Sequence, residues 1–192
     1  MGNTVGSLSK VQNELIIGTI LGDGSLRRKT NTLLEINHSK KQKEYCLWKY
    51  EFLKDIVKTP PKERVSGKNR EAVRFTTVST HLLNKYFQMF YSQELKRKII
   101  PSDLKLTLFS LAVWFMDDGS NCRDSVYFNT QQYTVDEQNH LRAIIKNQFG
   151  LESALNRDKK YFRIRLSSSS GRRLHKLILN LIPNCMKYKV LI

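Results

Sequence analysis

The sequence predicts an α+β fold made from one unit used twice. Three observations carry this: a repeated apolar-to-acidic motif, a repeated order of hydrophobic periods, and a basic excess shared by both halves. Ile16-Ile-Gly-Thr-Ile-Leu-Gly-Asp-Gly24 and Leu111-Ala-Val-Trp-Phe-Met-Asp-Asp-Gly119 have one design, a short apolar helix running into an acidic residue and a glycine. They stand 95 positions apart in a chain of 192.

After the first motif, Leu34, Ile36 and His38 alternate with Glu35 and Asn37, the pattern of a half-buried strand. Ser39-Lys-Lys-Gln42 has capping-box spacing, and Tyr45, Trp48, Phe52 and Ile56 then recur at helical intervals until Pro60-Pro61. Arg64-Val65, a turn at Ser66-Gly67-Lys68-Asn69 and the run Val73 to Ser79 read as a hairpin. A helix around Leu82, Leu83, Tyr86, Phe87 and Phe90 follows.

The second half replays this order. Val126, Phe128 and Thr130 make a strand, Thr134-Val-Asp-Glu137 offers a capping box, and Leu141, Ile144, Ile145 and Phe149 give the next helix its apolar face. Leu151 to Leu155, a polar turn near Arg157-Asp-Lys-Lys160 and Tyr161 to Ser167 form a second hairpin, and Leu174, Leu177, Ile178 and Leu181 mark the last helix. The unit is helix, strands, helix, strands, helix. The join falls in 92–106, which assigns the halves to 1–95 and 107–192 with a linker at 96–106.

Composition narrows the function. The chain is 40% hydrophobic with nine Phe, eight Tyr and two Trp, enough to fill a core. Its formal net charge is +16, divided as +10 in residues 1–100 and +6 in 101–192. A polyanion, nucleic acid first, is the expected partner. No apolar run approaches the ~20 residues of a membrane span, and no apolar signal core opens the chain. The reading is therefore intracellular without a membrane partner, and bacterial, phage, mitochondrial and plastid hosts all fit. Cys46, Cys122 and Cys185 lack C-x-x-C spacing, and His38, His81, His140 and His175 form no ligand pairs in sequence, so neither zinc nor disulfides are expected.

Asp at a helix C-terminus sits at the negative end of the macrodipole, and a second carboxylate nearby adds like-charge repulsion. Divalent cations between Asp23 and Asp118 would compensate both costs, and hard oxygen ligands suit Mg²⁺, with Mn²⁺ as a substitute. Gly18 and Gly22 lie one turn apart and remove side-chain bulk, which permits two motif helices to approach closely. Val113 and Asp117 hold the corresponding places in the second motif, so its packing must be less tight or asymmetric.

Strand alternation gives each sheet a core face and a basic face. Phe162, Ile164 and Leu166 oppose Tyr161, Arg163, Arg165 and Ser167, while Arg74 and Thr76 alternate with Val73, Phe75 and Thr77. A two-stranded ribbon fits the major groove of B-DNA, where Arg can pair with guanine. The candidate DNA contacts are Arg27, Arg28, Lys29, Asn37, Arg74, Thr76, Gln131, Arg163 and Arg165.

The two motifs resemble those of LAGLIDADG homing endonucleases. Trp114-Phe-Met-Asp-Asp-Gly119 and Asn129-Thr-Gln131 are similar to signatures of the single-chain branch, and the likeness spans about residues 12–190. It implies two pseudo-symmetric αββαββα halves packed through their motif helices, with antiparallel sheets forming a DNA-binding saddle. It also implies that Asp23 and Asp118 bind catalytic Mg²⁺, that Gly22 and Asp117 lend backbone carbonyls, and that Lys98 and Lys189 stand near the scissile phosphates. Lys98 follows Asp23 by 75 residues and Lys189 follows Asp118 by 71, a matching placement. Leu21, Met116 and Val113 depart from the family's consensus, two replacing an acid and one a small residue.

The function implied is a monomeric, site-specific double-strand DNA endonuclease of intron-homing type that leaves short 3′ overhangs. The alternative is a group I intron RNA maturase or a non-catalytic nucleic-acid-binding protein on the same scaffold. Intron RNA is the partner under that alternative.

Overall fold

The computed structural model describes residues 6–66, 70–123 and 125–190. The first half runs α1 (Lys10–Leu21), β1 (Ser25–Arg28), β2 (Thr32–Ser39), α2 (Lys43–Leu53), β3 (Lys62–Ser66), β4 (Arg70–Thr76) and α3 (Asn84–Phe90). A small antiparallel pair, β5 (Tyr91–Ser92) and β6 (Arg97–Lys98), leads towards the second half. There α4 (Leu108–Asp118), β7 (Gly119–Cys122), β8 (Ser125–Phe128), α5 (Val135–Phe149), β9 (Ser153–Asp158), β10 (Tyr161–Leu166) and α6 (Ser168–Ile178) repeat the order.

The two four-stranded sheets share one topology, β1-β2-β4-β3 and β7-β8-β10-β9, with every ladder antiparallel. Each half is thus αββαββα. β1 and β7 carry no sequence signal of their own, since Ser25-Leu-Arg-Arg and Gly119-Ser-Asn-Cys contain no β-branched residue. They become strands because the chain leaving each motif helix turns back and pairs with β2 or β8.

The motif helices fill the centre. Leu15, Ile16, Ile20 and Leu21 of α1 and Leu111 through Met116 of α4 are fully buried, so both helices are apolar on nearly every side. Gly18 faces Val113 and Gly22 faces Asp117, so residues at equivalent places in the two motifs meet. Equivalent residues meeting at successive turns require the helices to run side by side in the same direction, about a pseudo-twofold axis. A Cβ on Gly18 would stand 2.5 Å from the Ser110 carbonyl oxygen and 2.7 Å from Val113 Cβ, so a glycine on one helix receives a side chain from the other. Of the two outcomes that the motifs allow, looser or asymmetric packing, the helices take the asymmetric one.

Caps start the main helices. Ser9 and Gln12 cap α1 reciprocally, Thr107 and Ser110 do so for α4, and the predicted Thr134–Glu137 box starts α5. The Ser39 box does not form. Ser39 remains in the β2 ladder opposite Ala72, a 3-10 turn (Lys40–Gln42) intervenes, and α2 begins at Lys43 without a side-chain cap. The predicted turn at 66–69 falls largely on residues 67–69, outside the described residues.

The buried face of α2 also differs from the expected stripe. Tyr45, Cys46, Lys49 and Leu53 are buried, while Trp48 and Phe52 pack at its flank against Phe109. No helix among the described residues is long and apolar enough to cross a membrane.

Candidate active site between the motif helices

The two acids leave the helix pair at its common end. α1 stops at Leu21 and the chain steps through Gly22-Asp23-Gly24 into β1, whereas Asp118 is the last residue of α4. The Asp23 side chain is 42% exposed. Burial works to raise its carboxyl, but the His38 contact and the charges of Lys49 and Lys189 outweigh that and leave it below its ordinary value. Asp118 goes the other way. Burial first, then the charges of Asp23 and Asp117, push its carboxyl up to about 7 against the pull of Lys98 and Lys189. Among the described residues the Asp118 carboxylate has neither a hydrogen bond nor an ion pair, so a partly buried acid is left with open oxygens.

Two lysines approach from opposite sides with matching geometry. Lys98, carried by β6, donates from Nζ to the carbonyls of Ile20 (2.8 Å), Gly22 (3.2 Å) and Gly24 (2.6 Å). Lys189 ends a 3-10 turn (Asn184–Lys189) and donates to the carbonyls of Met116 (2.5 Å), Asp117 (3.2 Å) and Gly119 (3.0 Å). Each lysine thus serves the motif of its own half. Burial lowers Lys98 to about 8 in spite of Asp118, Asp117 and Asp23, and burial lowers Lys189 as well. The Gly22 and Asp117 carbonyls, expected to face a metal, accept from these ammonium groups here, and each keeps a second lone pair.

The Asp117 carboxylate is taken by protein. Oδ1 accepts from Lys49 Nζ at 2.7 Å and from Tyr45 Oη at 2.8 Å, while Oδ2 accepts from Lys49 Nζ at 2.8 Å and from the Asp23 backbone N–H at 3.2 Å. Both charged side chains are fully buried. Asp23, His38 and Asp117 place ligand atoms within 4.8 Å of one another. With its oxygens committed to Lys49, Tyr45 and Asp23, Asp117 is poorly suited to be a side-chain ligand. Of the motif acids that leaves Asp118, whose carboxylate has no partner among the described residues, and Asp23, which contacts His38 at 3.5 Å.

Sequence reasoning missed His38, Tyr45 and Lys49. A signal existed, because Lys49 lies four residues from Tyr45 and four from Leu53 on the buried face of α2, where a lysine demands a partner. The Asn129-Thr-Gln131 segment has local roles. Asn129 N–H donates to the Asp118 carbonyl at 3.0 Å, Thr130 links β10 to Gln138 of α5, and Gln131 donates to Asp158 at 2.8 Å.

On the outer face of the first sheet, Asn37 pairs with Arg74 and Glu35 with Thr76 in the ladder, and Arg27 and Arg74 both form ion pairs with Glu35. Arg28 alternates away from Arg27 and lies over the Phe87 ring at 5.8 Å, off the shared basic face, and Lys29 is exposed in the following turn. On the second sheet Arg163 stacks on Tyr127 at 4.1 Å and Arg165 donates to Ser125 Oγ at 3.0 Å.

Known proteins share this fold. The family model described as LAGLIDADG DNA endonuclease family matches residues 13–174. The chain belongs to that family. It is 25% identical to DNA endonuclease I-ChuI of Chlamydomonas applanata over 96% of this chain and 96% of that protein. It is 24% identical to cytochrome b mRNA maturase bI2 of Debaryomyces hansenii over 95% of this chain and 74% of that protein. Among solved structures, the homing endonuclease I-WcaI bound to its DNA recognition sequence matches with a TM-score of 0.89 and 26% identity, covering 99% of this chain and 90% of that one.

Proposed function

We propose that this LAGLIDADG chain is a monomeric, Mg²⁺-dependent homing endonuclease that hydrolyses both strands of a long DNA site and leaves short 3′ overhangs. The observation that carries the reading is the paired site: one acid and one lysine per half, arranged about the axis that relates the halves. DNA strands are related by a similar axis, so two such half-sites suit two phosphodiesters. Both motifs lie in one chain, which removes the need for a second copy.

A divalent cation held by Asp23 and Asp118 would supply Lewis-acid stabilisation and activated water. Lys98 and Lys189, each with its three ammonium donors on motif carbonyls, would stabilise developing charge through their positive field or organise water. The outer sheet faces, with Arg27, Asn37, Arg74, Thr76, Arg163 and Arg165, form the basic saddle for the duplex, and Lys29 and Gln131 extend it at its edges. Arg28 is the weakest of the expected DNA-binding residues.

The test is cleavage selection from a long randomised duplex library with Mg²⁺, alongside Asp23→Asn/Asp118→Asn. Wild type alone should enrich a defined, partly symmetric site with short 3′ overhangs. Equal cleavage by the double variant would remove both acids from the mechanism. The similarity to a maturase supports a second reading, assistance to splicing of the intron that encodes the chain. Tighter binding to that intron RNA than to any duplex, with no cutting, would favour it. Such an origin is compatible with an organelle or a bacterial or phage host.

A further inference from the structure

The buried Lys49–Asp117 pair has no copy in the other half. Asp117 is the second motif's counterpart of Gly22, which has no side chain, and the pair crosses from α2 of the first half to α4 of the second. Burying two charges is costly, and apolar residues of similar volume are often at least as stabilising, so stability alone is a weak reason for such a pair. Its geometry supplies another. The same carboxylate that Lys49 and Tyr45 clamp also accepts the Asp23 backbone N–H, and its own residue is joined directly to Asp118.

We propose that Lys49 and Tyr45 are positioning residues that, by fixing Asp117, set the relative placement of Asp23 and Asp118 and so the affinity of the site for divalent cation. The proposal rests on the reading that these two acids hold the metal. Loss of the clamp frees Asp23 from the neighbouring motif while leaving both acids present. Partners that orient metal ligands in this way are typically worth about 10–100-fold in metal affinity. Because the clamp comes from one half, its loss also removes the fixed reference between the two half-sites.

Lys49→Met alone strands a buried carboxylate and tests folding more than positioning. The informative variant is Lys49→Met/Asp117→Asn, which is uncharged at both positions and keeps their volumes. Its fold is read by thermal unfolding and its affinity for the selected target duplex is read in EDTA. Ca²⁺ is then titrated into the protein–duplex complex by calorimetry, with Asp23→Asn/Asp118→Asn beside it. The expected result is wild-type duplex affinity in EDTA with Ca²⁺ bound about 10–100-fold more weakly. Tyr45→Phe, which retains the charge pair, should lose less.

A folded Lys49→Met/Asp117→Asn variant with wild-type Ca²⁺ affinity overturns the proposal, as does failure of that neutral variant to fold, which would make the pair a requirement of the core. If the Asp23→Asn/Asp118→Asn variant still binds Ca²⁺ as wild type does, the metal assignment itself fails. The two failures are therefore distinguishable.

Discussion

Gly22 and Asp117 meet so closely across the motif helices that a Cβ on Gly22 would lie 2.3 Å from Asp117 Cβ. Glycine is required on one side because the other side carries a carboxylate clamped in place. The same rule governs Gly18 against Ser110 and Val113 one turn earlier.

Replacing either glycine should therefore destabilise the protein. In an exposed helix Gly→Ala gains about 1 kcal/mol from propensity, but overpacking a rigid core costs roughly 1–3 kcal/mol. Gly18→Ala meets a backbone carbonyl that cannot rotate away, so the steric cost should exceed the gain. Chemical denaturation should give a lower midpoint for Gly18→Ala and for Gly22→Ala. A midpoint at or above wild type would mean that the helices separate more easily than their packing suggests.

Asp118 should make the metal-free protein sensitive to pH. Its carboxyl titrates near 7 in the fold and at its ordinary value of 3.8 when freely solvated. Between those values the native state binds more protons than the unfolded state, so this group's favourable contribution is complete below the lower value and is lost as pH rises through about 7. Asp118→Asn removes the dependence. In EDTA the variant should unfold at a higher temperature than wild type at about pH 8, and the gap should close near pH 4. Added Mg²⁺ should then stabilise wild type more than the variant. An equal response to pH in both proteins would show that Asp118 is not the titrating group.

What the sequence reveals of this protein depends on the length scale of the cause. The motif acids, the helix pair and most strands rest on local periodicity and on glycine spacing, which residues 16–24 and 111–119 display directly. β1 and β7 escape such a reading because only pairing makes them strands. The expected Ser39 cap fails because the β2 ladder holds that residue. Lys49 signals a need for a partner by its place on the buried face of α2, but that partner stands 68 residues away and nothing local gives its address.

Lys98 and Lys189 should divide their effects by strand. Each donates to the carbonyls of its own motif, so each is placed to act at the phosphodiester nearest that half. Lys98→Met and Lys189→Met should each slow one strand by about 10²-fold, the order that preorganised electrostatic stabilisation of a developing charge supplies. A duplex labelled at both ends should accumulate nicked product, with the nick on opposite strands for the two variants. Equal slowing of both strands would mean that the lysines serve one shared site.

Glu35 should restrain DNA binding before any duplex arrives. It holds Arg27 and Arg74 in ion pairs on the outer face of the first sheet, so phosphates must compete with it for both. Glu35→Gln should tighten binding to non-specific duplex. Arg165→Ala should weaken it and reduce the slope of log affinity against log salt by about 0.9 for each phosphate that the variant no longer neutralises. Arg28→Ala should leave that slope unchanged, because Arg28 packs over Phe87 instead of joining the basic face. Fluorescence anisotropy across a salt series separates these outcomes. A slope that falls for Arg28→Ala but not for Arg165→Ala would place the duplex on a different surface from the two sheet faces.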